Sequence, residues 1–192
     1  MLKLKDDFFY DLLKDFVESK KDITGFAGLF GEGACGTDEF YIREGEENER
    51  IGFLADGVMR SFITDYDGNE ATIRFIRRNG LLSGGFAFMV PSTVAVQAIR
   101  PAVVYTAKWL EVASFCRERP VFMRVLNRYL ALGSKNSTEM LSKFIRLSAK
   151  ERYLLFIREY PESLEEIPHY HIANHIGITP VQLSRIRKSL RG

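Results

Sequence analysis

Histidine is absent before His169; all three, His169, His171 and His175, crowd into the C-terminal segment of this 192-residue chain. Ser-His or Cys-His catalysis in the rest of the chain is therefore excluded. Cysteine is scarce too. Cys35 and Cys116 are too few for a four-thiolate cluster and too far apart for zinc or redox spacing, so a reducing cytoplasm is the expected setting. No apolar run of about 18 residues occurs, so neither a transmembrane helix nor a membrane partner is expected. P-loop and dinucleotide fingerprints are missing. The start, "MLKLKDDFFYDLLKDF", carries acids inside an amphipathic pattern and reads as a helix over roughly residues 5–19, not as a signal peptide. The expectation is a protein that is not an enzyme and carries no cofactor or metal.

Net charge is +2, unevenly placed. Residues 1–120 hold 15 Lys/Arg and 19 Asp/Glu, whereas residues 121–192 hold 12 and 6. An acidic front and a basic back suggest that only the back meets a polyanion.

From about Glu39 to Ala107 the chain is a series of short β-branched and aromatic runs: "EFYI", "RIGFLADGVMRSFIT", "NEATIRFI", "STVAVQAI" and "AVVYTAKW". Polar turns separate them, among them "REGEENE", which reads as solvated, and "DYDGNE", a hairpin loop with Gly68 at positive φ. Antiparallel strands without intervening helices favour a sandwich or jelly-roll barrel. A long helix follows from Pro120 to Leu147, with Phe122, Leu126, Tyr129, Gly133, Asn136, Met140 and Leu147 on one approximate heptad seam. Two readings stand: a helix lying on its own β-domain, or a dimer helix in which Gly133 permits close approach and Asn136 sets register. "SAKERYLLFIREYP" makes another amphipathic helix, joined by "ESLEEIP" to the last segment.

That segment is "HYHIANHIGITPVQLSRIRKSLRG". Ile172 and Ile176 share one helix face, Leu183 and Ile186 a second. Gly177 suits a left-handed turn between them, Thr179 an N-cap, Pro180 the first helical position, and Ala173 a close crossing. These are the requirements of a helix-turn-helix. Two ordinary packed helices would explain the isoleucines. They explain less well an outer face of Gln182, Ser184, Arg185, Lys188 and Ser189, in a stretch whose charges are Arg185, Arg187, Lys188 and Arg191 without an acid.

A β-domain, a long helix and a C-terminal helix-turn-helix, in that order, resemble the Crp/Fnr family of bacterial transcription regulators over nearly the whole chain. The resemblance is strongest in "FLADGVMRSFITDYDGNEATIRFIRRNG" and "IPHYHIANHIGITPVQLSRIRKSL". It implies an α+β protein: a cyclic-nucleotide-binding-type jelly roll with an N-terminal helix over 1–119, a dimerisation helix over 120–147, and an all-α DNA-binding domain over 148–192. The implied partners are double-stranded DNA, through a recognition helix in the major groove, and a second copy of the chain. RNA polymerase is a further candidate. Arg185 matches the family's base-reading arginine, able to bond a guanine edge in bidentate fashion. Pro180 and Val181 stand where the family has Arg-Glu, so its operator does not carry over. Thr179, Gln182, Ser184 and Lys188 are the other candidate DNA contacts, with His175 beside a phosphate. No winged hairpin is expected before the sequence stops at Gly192.

The candidate effector pocket is Gly84, Gly85, Phe86, Ser92 and Thr93, in "NGLLSGGFAFMVPSTVAVQA". Gly85 falls where nucleotide-binding members of the family hold a Glu for the ribose, and Ser92-Thr93 where they hold Arg-Ser for the phosphate. Control by cyclic AMP is therefore not expected. Spacing gives no support for Arg74, Arg77 or Arg100 reaching in. His171 and His175, four apart, could hold zinc, although such a pair is more often solvated. The rival function is a sensor or binding protein that takes a cyclic nucleotide, another effector or a protein partner without reading DNA. Steep salt dependence would distinguish DNA binding from it.

Overall fold

The computed structural model describes residues 2–161 and 165–190; Arg191, part of the "ESLEEIP" linker and the outermost domain ends lie outside them. The N-terminal helix stops earlier than its amphipathic spacing predicts. Helix α1 spans Leu2–Leu13 and a second helix, α2, Lys20–Gly28. Ser19 is extended (ψ 103) and its hydroxyl accepts from the Asp22 N–H at 3.2 Å. A residue that caps a new helix cannot continue the old one.

Eight strands follow among the described residues: β1 (Gly31–Cys35), β2 (Phe40–Ile42), β3 (Arg50–Asp56), β4 (Met59–Thr64), β5 (Glu70–Ile76), β6 (Leu81–Leu82), β7 (Ala95–Ala98) and β8 (Ala102–Lys108). They form two four-stranded antiparallel sheets, ordered β1-β8-β3-β6 and β2-β7-β4-β5. The interleaved order is that of a jelly roll. The β4–β5 hairpin turns at Gly68 (φ 84), with the Asp65 carboxylate accepting from the Asp67 and Asn69 N–H groups at 2.9 and 2.8 Å. β1 and β6 carry no signal in the sequence: "GEGAC" does not alternate and "LL" is too short. Leu54, Met59, Leu82, Val96 and Ala98 fill the space between the sheets.

An aromatic core lies outside the first sheet. Phe9, Phe26, Phe30, Phe53 and Phe122 are almost fully buried there, Phe26 stacking on Phe122 at 4.8 Å. Helix α3 (Trp109–Glu118) and the start of α4 (Pro120–Arg146) close it. This decides how α4 lies. Phe122 and Leu126 are each 1% exposed inside their own chain, and Tyr129 meets Phe53 edge-on at 5.7 Å. Gly133 receives the Phe86 ring; a Cβ there would stand 2.9 Å from it. Asn136 and Met140 continue this face over an interdomain cavity. The part of the seam from Phe122 to Gly133 thus faces the β-domain of its own chain, because the aromatic core needs a cover, while Asn136 stays exposed.

Helices α5 (Ala149–Glu159), α6 (His169–Ile176) and α7 (Pro180–Ser189) build a third core. Tyr153, Phe156, Ile172, Ala173, Ile176 and Leu183 join Val58, Phe75 and Ile99 of the β-domain in it. Gly177 ends α6 in the left-handed conformation (φ 67, ψ 43), with the Phe144 ring against its Cα. A side chain there meets both backbone strain and that ring, so Gly177→Ala is expected to lower stability by about 1–2 kcal/mol. Urea unfolding checks this; an unchanged midpoint would mean that the turn tolerates a Cβ.

Candidate nucleic-acid interface and effector cavities

Helix α7 is set by its ends and its inner face. Thr179 and Gln182 form a reciprocal capping box: the Thr179 hydroxyl accepts from the Gln182 N–H at 3.2 Å, and the Gln182 side-chain oxygen from the Thr179 N–H at 2.9 Å. Leu183 is buried at 1% exposure and Ile186 packs beside it. The opposite face, with Val181, Ser184, Arg185 and Lys188, is exposed. Of the candidate DNA contacts, Ser184, Arg185 and Lys188 therefore share one open surface. Thr179 and Gln182 are also exposed, but both serve the cap. Arg187 lies off this face, 2.8 Å from His169 Nδ1.

Two histidines of α6, His171 and His175, turn inward, whereas His169 is exposed. His175, expected beside a phosphate, has Nδ1 3.0 Å from the Thr72 carbonyl oxygen of β5 and its ring 5.2 Å from that of Phe75. Burial pulls its pKa down, and the Thr72 bond opposes that shift only in part. His171 is 2% exposed, with Nδ1 buried and without a hydrogen-bond partner among the described residues. Sequence reasoning missed both because an amphipathic helix of eight residues gives no sign of a sheet on its polar side. Among the described residues no group of three His, Cys, Asp or Glu side chains could hold a metal ion. Cys35 and Cys116 are free and buried, and burial pushes the Cys116 thiol up to about 11.

The candidate effector pocket divides into two parts. Gly84 and Ser92 are consumed by the loop itself: the Ser92 hydroxyl lies 2.9 Å from the Gly84 carbonyl oxygen and 2.5 Å from that of Val94. Asn48, completely buried, accepts from the Gly84 N–H at 3.0 Å and donates to the Ala87 carbonyl at 2.6 Å. The "REGEENE" stretch is thus not wholly solvated; its asparagine pins the cassette. Phe88 stacks on Trp109 at 4.0 Å and anchors the same loop to α3. Gly85, Phe86 and Thr93 do line a cavity of about 220 Å³, together with Arg74, Tyr129 and Gly133. Arg74 donates to the Leu81 carbonyl at 3.0 Å, and burial lowers its pKa. A cation does reach this cavity from β5, which spacing alone gave no reason to expect. Asn79 adopts φ 69, a conformation asparagine tolerates better than most residues.

His171 sets an acid limit on the domain. Burial first, and the nearby Arg60 charge second, depress its pKa from 6.5 to about 4. A depressed value means that its contribution is complete above pH 6.5 and is lost as pH falls towards 4. Full linkage of that shift is about 3 kcal/mol; with partial solvent screening, a loss of about 1–2 kcal/mol is expected. Urea unfolding of the unmodified protein and of His171→Leu, from pH 7 to pH 4, checks this. Parallel profiles would count against it.

No protein-family model and no curated protein matches the chain at the level of sequence. Solved structures do match. FixK2 from Bradyrhizobium japonicum superposes with a TM-score of 0.75 at 20% identity, covering 84% of this chain and 84% of its own. CLP, described as a c-di-GMP-responsive global regulator of Xanthomonas campestris, gives 0.77 at 12% identity, covering 90% and 92%. A protein from Eubacterium rectale, described as a transcriptional regulator of the Crp/Fnr family, gives 0.73 at 12% identity over 95% and 87%. The jelly-roll β-domain, the long helix and the C-terminal helix-turn-helix of this chain together make the fold of the Crp/Fnr regulators.

Proposed function

We propose that this chain is a DNA-binding transcription regulator of the Crp/Fnr type, acting as a homodimer on a two-fold symmetric operator and independently of cyclic AMP. One arrangement carries the reading: a doubly capped α7 held by Leu183 that leaves Ser184, Arg185 and Lys188 on one open face. Such a helix fits the major groove. Independence of cyclic AMP is supported by a cassette with glycine at 85 and hydroxyls at 92 and 93, around a cavity of about 220 Å³ that is small for a ligand pocket.

The proposed dimer surface lies on α4, about a quarter turn from the Phe122, Leu126 and Gly133 face. Met123, Leu130, Ser134, Leu141 and Ile145 form a stripe with spacings alternating between seven and four residues. Leu141 and Ile145 are 62% and 76% exposed. Met123 and Leu130 also touch the aromatic core, but the open apolar surface of Leu141 and Ile145 suits a second copy of the same helix, and two copies would set their α7 helices about one DNA turn, roughly 34 Å, apart.

Footprinting on fragments of genomic DNA, without added nucleotide, is expected to yield a protected site with two-fold symmetry. Arg185→Ala should weaken it by about 1–3 kcal/mol and relax preference at one base per half-site. Lys188→Ala should weaken all sequences alike and lower the salt slope by about one per contact. Unchanged affinity and preference for Arg185→Ala, or a site protected only with cyclic AMP, would reject the reading.

Light scattering at micromolar concentration should report about twice the chain mass of 22.0 kDa. Leu141→Glu, which places a charge in the stripe, is expected to give monomers that keep their secondary structure. A dimer undisturbed by Leu141→Glu but lost on a change elsewhere would move the interface off α4.

A further inference from the structure

Between β5 and helices α4, α5 and α6 lies a cavity of about 510 Å³, which adjoins the cassette cavity through Ile73, Arg74 and Tyr129 and is of a size suited to a small ligand. Its walls are the surfaces on which the β-domain meets the helix-turn-helix. Arg77 stands on it with Nε and Nη2 buried and without a hydrogen-bond partner among the described residues. Its guanidinium lies 5.3 Å from the centre of the Tyr160 ring, a contact that leaves those N–H donors unmet. Arg74, also on the wall, has one N–H bonded to the Leu81 carbonyl. The two carboxylates of the wall are already engaged. Glu159 holds Lys143 at 2.7 Å and Glu139 faces Lys135 at 3.6 Å.

A half-buried guanidinium whose Nε and Nη2 lack an acceptor is unfavourable, and partial shielding from water strengthens its attraction for an anion that enters. Its forked donors suit a carboxylate or phosphate. The remaining wall offers apolar surface from Met140, Phe144 and Phe156.

We propose that this interdomain cavity binds a small amphiphilic anion, with its carboxylate or phosphate on Arg77 and Arg74 and its apolar, aromatic body against Met140, Phe144 and Phe156. A bound anion touches β5 on one side and α5 and α6 on the other. It therefore favours the arrangement in which α6 lies on the sheet, and changes DNA affinity through the placement of α7. That consequence rests on the regulator reading; the binding itself does not.

Calorimetry with 2-naphthoate, 1-naphthyl phosphate and neutral 2-naphthamide tests the site, the first two arms distinguishing carboxylate from phosphate. At least one anion is expected to bind, with the amide about tenfold or more weaker, a difference of about 1.4 kcal/mol. Arg77→Met should weaken the anion by about as much and leave the amide unchanged. Arg77→Lys, which keeps the charge, should retain more of the affinity, and Arg124→Met on the exposed side of α4 all of it. Without ligand, Arg77→Met should melt no lower than the unmodified protein, because it removes two buried N–H donors that lack an acceptor; a merely structural arginine would lower the midpoint. The proposal is overturned if neither anion binds at about 1 mM, if the amide binds equally well, or if Arg77 variants bind as the unmodified protein does. Should Arg77→Met not fold, Arg77→Lys and the amide comparison still decide. DNA takes no part in these measurements, so a protein that binds the anion but no operator sinks only the regulator reading.

Discussion

The far half of this protein depends on what covers Phe75. This β5 side chain is 6% exposed, and its ring meets Phe156, Tyr160 and His175 at 5.8, 6.0 and 5.2 Å. An aromatic residue at the outer surface of a sheet must be buried, and α5 and α6 do so. Once α6 lies there, His175 can bond to the Thr72 carbonyl, and the helix is fixed in rotation as well as position. Ala173, fully buried, and Gly177 then let α7 cross closely. The open face of α7 follows from this chain of contacts: Leu183 must point to the shared core, so Ser184, Arg185 and Lys188 must point away.

Helix α4 meets a second constraint, because it serves two surfaces at once. Its first half closes the aromatic core around Phe26 and Phe53, and its middle carries Gly133 against Phe86 of the cassette. Its later turns border the interdomain cavity and hold Glu159 through Lys143. The helix thus touches the cassette, the sheet and the helix-turn-helix in turn. A change in any one of these contacts has a rigid element through which to act on the others.

Two arginines, one buried and one half-buried, are handled differently. Arg60, 2% exposed, is fully engaged by Gln97 at 3.0 and 2.6 Å and by Glu70 at 2.6 Å. Such a network is satisfied and gives rigidity. Arg77, only a short distance along the same chain, lacks these acceptors. The contrast marks the interdomain cavity as unlike the rest of the interior. His171, buried near the Arg60 charge, adds a group that must stay neutral for the helices to remain packed on the sheet.

Much of the fold was legible in the residues. Short β-branched and aromatic runs marked six of the strands, and the order of β-domain, long helix and helix-turn-helix was readable from local pattern. The caps of α7 and the left-handed Gly177 follow from residue types whose preferences are intrinsic, so local chemistry suffices for them. Ser19 carried a cap signal as well, yet a continuous amphipathic pattern obscured the break it makes. What sequence could not decide was which partner each face would meet. Phe122, Leu126 and Gly133 looked equally suited to a second helix or to their own sheet, because an apolar seam does not name what covers it. Asn48 looked like a solvated turn residue and is completely buried, since its partners Gly84 and Ala87 lie far along the chain. His175 looked outward and bonds inward, and Arg74 reaches a cavity that its spacing did not suggest. Local sequence determined the elements and their ends, through backbone preference and periodicity; only tertiary structure decided the pairing of faces and the placing of buried charge, because both depend on residues distant in sequence competing for the same surface.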